Sequence, residues 1–288
     1  MKETMSEQSD IAETGLHALP PYNDKVSWWG HYTAMLGLST MLLVRRRRLL
    51  LAAVITMLPI FFPLSEAYLG TYAQMGGMFP DLNRDIYLPN LAPILALFFA
   101  AMLIGEDLEA QTMPYFLTRP LPRSMWVLGK FTAYLIVAGG LIVVSQWLSF
   151  LACTMAPNFG IDRQNLILLA HYNAVAFLAV LGNGAVALFL GVITKRPIVL
   201  GVLVLILWQR LAAIIPGAVD FFTINKYIEM IAPQSLGATQ DQSIQTALGE
   251  IAKQQLYISA GEALPALLAI SAGFILATIV VLRVRQFE

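Results

Sequence analysis

Between residues 106 and 123 the chain carries a dense run of groups suited to gripping a partner. Glu106, Asp107 and Glu109 open the run, Thr112 follows, Arg119 and Arg123 close it, and Lys130 lies beyond. Leu108, Met113, Tyr115, Phe116 and Leu117 stand between the acids and the bases. Carboxylates favour the positive end of a helix, so a short helix is expected to start on the acids. Such a helix docks by inserting apolar side chains into a partner's groove while its charges set the orientation. Pro120 and Pro122 cannot continue a helix and turn the chain away.

Other chemistries lack their residues. The three histidines, His17, His31 and His171, are too scattered for a metal cage. The single cysteine, Cys153, lies in an apolar run and reads as a small packed side chain. No G-x-S-x-G elbow and no histidine–carboxylate pairing supports an intramembrane hydrolase. A phosphate-binding loop G-x-x-x-x-G-K-[ST] is also missing, because Gly129-Lys130 is followed by Phe131 and preceded at the required spacing by Ser124. No cofactor is therefore expected on this chain. The 18 basic and 18 acidic residues balance, without the basic excess of a nucleic-acid binder.

The elements that must hold the 105–123 run are hydrophobic. Of 288 residues, 58% are apolar and 12% charged, against about 25% charged in a soluble domain. The apolar residues gather into six runs, near 49–69, 88–104, 126–156, 166–193, 197–215 and 263–282. A helix needs about 20 such residues to cross the hydrocarbon core. It is favoured there because it satisfies its own backbone. The fold class expected is all-α: a polytopic membrane protein with six spans in one domain, 26–288, after a polar cytoplasmic tail, 1–25. The tail lacks the apolar core of a signal peptide.

Lysine and arginine set the orientation. With the N-terminus in the cytoplasm, 13 of them fall inside and 4 outside, Arg210 lying within a span. Both termini and the 105–123 connection are then cytoplasmic. Residues 28–44, with Trp28, Trp29, Tyr32, Met35, Leu36, Leu42 and Leu43 at helical spacing, suggest an interfacial amphipathic helix. The alternative is a seventh span. Arg45 to Arg48 would follow it among lipid headgroups.

Polar residues inside spans are costly and mark pathways or packing contacts. The candidates for a substrate path are Gln146, Asn183, Gln209 and Arg210, with Asn173 and Glu66 as further intramembrane polar groups. Glu66 and Arg210 both fall near external ends, where they would pair or reach to the interface. Pro59 and Pro63 are expected to bend the first span. Gly182 and Gly184 would let helices approach closely. The external segment 216–261 is long for a loop. Two helices are expected in it, over 224–232 and, more strongly, 243–257.

The run Glu106, Glu109, Thr112, Leu117, Arg119, Pro120, Arg123, Gly129 and Lys130 resembles the connection between the second and third spans of type-2 ATP-binding-cassette permeases, the membrane subunits of bacterial exporters. The plan of interfacial helix, six spans and large external segment is similar over nearly the whole chain. Gln111 stands where that family often has glycine, and Pro114 interrupts the short helix. The resemblance implies an inner-membrane exporter permease that pairs with a second copy or a related chain. It would dock on a separate ATPase subunit through Glu106, Asp107, Glu109, Thr112, Tyr115, Leu117, Arg119, Pro120, Arg123 and Lys130. ATP and magnesium would sit on that partner. External helices in such exporters re-enter the membrane or cap the exit. A non-transporting scaffold that works with an ATPase would have much the same sequence.

Overall fold

The computed structural model describes residues 28–45, 47–70, 75–101, 103, 123–156, 159–194, 196–214, 218–233, 243–246, 249–252 and 259–284. Their elements are α1 (Trp28–Arg45), α2 (47–69), α3 (75–101), α4 (Arg123–Cys153), α5 (Arg163–Ile193), α6 (197–214), α7 (Ile224–Ile231), the strands β1 (Ser243–Thr246) and β2 (Gly249–Ala252), and α8 (Ala260–Val284).

Four stretches are long and apolar enough to cross a membrane: Leu49–Leu69 in α2, then α4, α5 and α8. Pro197–Ala212 in α6 is apolar but shorter. The helix α1 is not among the four; it packs along the first turns of α4. It buries Met35, Ser39 and Leu43, one turn apart, and leaves Trp29, Leu38, Met41 and Leu42 outward. Its outer face therefore mixes these apolar side chains with the exposed Thr33, Ala34 and Gly37, a weaker segregation than an amphipathic helix would show.

The helix α3 departs furthest from the expected 88–104. It is helical from Met75, so Asp81, Arg84 and Asp85 ride on its first turns. Pro80 and Pro89 both lie inside it. Proline has no N–H for the regular ladder, and Pro89 falls within a π-helical stretch, Asn83–Leu91. Wider π turns recur at Ala96–Ala101 and, in α6, at Val202–Trp208. In α2, Pro59 coincides with a tightened 3-10 turn, Leu58–Ile60. Gly70 ends that helix in the left-handed region, φ 73°, its N–H returning to the Glu66 carbonyl.

The centre of the bundle is α5. The most apolar window of α5 is 72% buried, against 22% for the α2 stretch and 17% for α8. Small residues make this possible: Ala176, Ala179, Gly182, Gly184, Ala185, Ala187 and Gly191 are all buried. Between apolar helices in an apolar medium, close backbone approach is a principal source of attraction. The periphery is apolar as well, with Leu50, Leu51, Val54, Phe61 and Phe62 of α2 and Leu264, Leu268, Leu276 and Val280 of α8 exposed. A perimeter of that kind is at home in hydrocarbon and a liability in water.

The segment 216–261 is in part as expected. The helix α7 covers Ile224–Ile231. The stronger expectation, a helix over 243–257, is overturned at 243–246 and 249–252, where β1 and β2 pair antiparallel with Ile244 opposite Ile251 and Thr246 opposite Gly249, while the rest of it lies outside the described residues. Apolar residues at helical spacing fit a helix, but the β-branched residues and Gly249 fit a hairpin better.

Candidate functional site

Polar side chains in the bundle gather in three groups, with a further buried seam around Gln146. At the end where α4 begins, Arg123 and Lys130 are held within the chain. Arg123 Nη1 donates to the carbonyls of Leu282 (2.7 Å) and Arg283 (3.0 Å) in the last turn of α8. Lys130 is 3% exposed, donates to the Leu103 carbonyl at 2.6 Å, and its ammonium lies 4.4 Å from the Trp126 ring centre. Gly129 serves packing: a Cβ there would stand 3.0 Å from Met35 Cβ of α1. Tyr32 of α1 donates to Thr132 Oγ1 at 3.1 Å beside it. The other coupling candidates, Glu106, Asp107, Glu109, Thr112, Tyr115, Leu117, Arg119 and Pro120, lie outside the described residues.

The second group joins α3, α5 and α6. Gln209 Nε2 donates to Asn183 Oδ1 at 3.1 Å, and Asn183 Nδ2 donates back along its own helix to the Ala179 carbonyl at 2.9 Å. Both side chains are buried, and Gln209 Oε1 has no hydrogen-bond partner among the described residues. One residue on, the exposed guanidinium of Arg210 donates to Asn90 Oδ1 of α3, and Asn90 Nδ2 donates to the Asp85 carbonyl at 2.6 Å. Three of the four path candidates thus cluster, and of the two alternatives for Arg210, pairing with Glu66 or reaching to the interface, the first gives way to a bond with Asn90.

The fourth candidate, Gln146, is elsewhere. It is fully buried and donates to Asn83 Oδ1 of α3 at 2.5 Å. Nearby, the Tyr87 hydroxyl shares hydrogen bonds with Ser145 Oγ (2.7 Å) and Ser149 Oγ (2.8 Å), and Ser145 donates to the Thr56 carbonyl of α2 at 2.5 Å. This seam fastens α2 and α3 to α4. Each polar group inside it has a partner except Gln146 Oε1, which suits a packing contact better than an open path. Asn173 likewise donates within its helix, to the Leu169 carbonyl at 2.8 Å.

The third group, of which the sequence singled out only Glu66, lines two adjoining cavities at the start of α3. One, of about 380 Å³, is bounded by Asp81, Arg84, Asp85, Asn225 and Glu229 with Leu88 and Ile228. The other, of about 330 Å³, shares Asp81 and Asp85 and adds Glu66 from α2. Asp81 and Asp85 face the same way because they are one turn apart. That spacing was the available signal, hidden because the charges looked like loop residues ahead of the span. Among the described residues no group of three or more histidine, cysteine or carboxylate side chains could hold a metal ion.

The cavity wall opposite α3 is α7, and α7 is seated deep. A Cβ on Gly182, well inside α5, would stand 3.0 Å from Ile224 Cγ2 of α7 and 3.0 Å from Leu267 Cδ1 of α8. At the other end of α7, the Tyr172 hydroxyl of α5 donates to the Pro233 carbonyl at 3.3 Å.

No individually curated protein matches the chain. Residues 43–285 match the family described as ABC-2 family transporter protein, an extent that takes in both cavities and all four helices long enough to cross a membrane. The chain belongs to the ABC-2 transporter family and is a multi-pass membrane permease component of an ABC transporter.

Proposed function

We propose that this permease is the membrane subunit of an ATP-driven exporter in a bacterial cytoplasmic membrane, with α2, α3, α4, α5, α6 and α8 as its six spans and both termini in the cytoplasm. Two permease chains pair, isologously if they are identical. A separate ATPase subunit supplies the phosphate loop and magnesium site that this sequence lacks. The segment 105–123 docks on that subunit through Glu106, Asp107, Glu109, Thr112, Tyr115, Leu117, Arg119 and Pro120. Closure of the ATPase dimer moves the segment, and a path between the permeases opens outward. Asn183, Gln209 and Arg210 face that path at mid-depth, and α7 gates its external end.

The observation that carries this reading is the acid–aromatic–base run from Gly105 to Lys130, between the second and third spans of an ABC-2 family chain. The depth of α7 against Gly182 supports the gate. The test is purification of the tagged protein from its own host with every co-purifying chain identified, followed by reconstitution in vesicles. A stoichiometric subunit with a phosphate loop and ATP-dependent flux are expected. ATP turnover without flux of any screened compound would favour a scaffold that only transmits motion. Replacing Glu106→Ala with Arg119→Ala should abolish substrate-linked ATPase stimulation while membrane insertion persists.

A further inference from the structure

We propose that Arg123 and Lys130 are positioning residues that pass motion of the 104–122 segment to two different helices, Arg123 to α8 and Lys130 to α3. The inference rests on the coupling role proposed above for that segment, and it assigns where the motion goes. The last carbonyls of a helix have no partner within it, and a cation there is favoured by the helix dipole. At the end of α8, Arg123 fills this role with two charge-assisted bonds, to Leu282 and Arg283. Just past the end of α3, Lys130 bonds the Leu103 carbonyl.

Both bonds come from one rigid piece. Arg123 is the first residue of α4, and Lys130 is seven residues on. At 1.5 Å per residue they are about 10 Å apart on nearly the same face. The segment is therefore bracketed. The residue before it, Leu103, is gripped by α4, and the residue after it, Arg123, grips α8. A shift of the first turns of α4 pulls both helices, through separate contacts. Lys130 cannot let go cheaply, because an ammonium at 3% exposure needs its carbonyl and its ring. Arg123, partly exposed, is the looser of the two links.

The test is hydrogen–deuterium exchange by mass spectrometry on the permease–ATPase complex in lipid nanodiscs, without nucleotide and trapped with ATP and orthovanadate. The unaltered complex should change exchange on trapping in peptides ending α3 (92–103) and ending α8 (276–284). Arg123→Gln should lose the α8 response and keep the α3 response; Lys130→Met should do the reverse. A plain loss of stability would weaken both responses together. Arg123→Lys and Lys130→Arg, which keep the charge, should restore the missing response in part, and serve if the first variants do not fold. If both responses survive in both variants, or vanish together in each, the assignment is overturned while coupling by the segment stands. If the unaltered complex shows no response at either end, or no ATPase accompanies the permease, the proposed coupling falls and this inference with it.

Discussion

The ring of Tyr134 occupies the space that a side chain at residue 184 would need. A Cβ on Gly184 would lie 2.1 Å from Tyr134 Cε1, and the Tyr134 hydroxyl donates to the Val180 carbonyl at 2.8 Å. The contact holds α4 against the centre of α5, so Gly184→Ala forces one helix off the other. Overpacking of this kind costs about 1–3 kcal/mol. A lower melting temperature is expected by tryptophan fluorescence in detergent, with Gly140→Ala, which meets nothing within 4 Å, as the neutral comparison. Equal melting of the two variants would remove this contact from the account.

The Gln209–Asn183 hydrogen bond gives a second prediction. Interhelical hydrogen bonds between buried side chains in membrane proteins are worth about 0.6 kcal/mol on average and up to about 1.7. A double-mutant cycle with Asn183→Leu and Gln209→Leu should therefore give a coupling energy of about 0.5–1.5 kcal/mol. If the pair also lines the path, flux in vesicles should fall further than stability does. Unchanged flux in a stable Gln209→Leu variant would make the pair a packing contact alone.

The third prediction concerns α7. Gly182 leaves room for Ile224 of α7 and Leu267 of α8, and valine there would press on both, the short α7 having fewer other contacts to hold it. Because α7 lies at the edge of the bundle core and Tyr172 holds its far end, the bundle should remain folded while α7 loosens. Gly182→Val is expected to raise protease cleavage within 216–233 several-fold in reconstituted protein with only a small drop in melting temperature. Unchanged cleavage would mean that α7 is not seated by this contact.

How far the sequence could be read depended on which force decided each feature. Hydrophobic length was the legible force: the described residues of all six apolar runs are helical, apart from 154–156. The start of α3 was missed because Asp81, Arg84 and Asp85 carry the signature of a loop, yet they face cavities and are tolerated in a helix. Tertiary partners were not legible. Arg210 was expected to pair with Glu66 or reach to the interface; it bonds Asn90, which stands in the π-helical stretch of α3. Gly129-Lys130 was legible as part of a motif, whereas the roles the structure gives the pair, room for Met35 and a grip on Leu103, depend on elements far apart in the chain. The strand pair at 243–246 and 249–252 was misread because Ile244 and Ile251, which lie opposite one another across it, are also two helical turns apart in sequence, and a window of ten residues cannot separate the two.

The last prediction fixes the orientation. Thirteen of the lysines and arginines fall on one side if the N-terminus is cytoplasmic, and charge bias of this size sets topology. Cys153 is buried among Phe79, Phe150 and Tyr172, so Cys153→Ala gives a cysteine-free background. Single cysteines at Gly160, exposed between α4 and α5, and at Phe222, 81% exposed ahead of α7, should react with a membrane-impermeant maleimide in intact cells. A cysteine at Arg196, exposed between α5 and α6, should react only after permeabilisation. One placed at Ser9 in the tail decides the role of α1. Reaction from outside would make α1 a seventh span and leave the later helices as assigned, whereas protection until permeabilisation keeps it on the cytoplasmic side. Labelling of Arg196→Cys in intact cells would invert the whole arrangement, and with it the side on which the 105–122 segment is proposed to meet the ATPase.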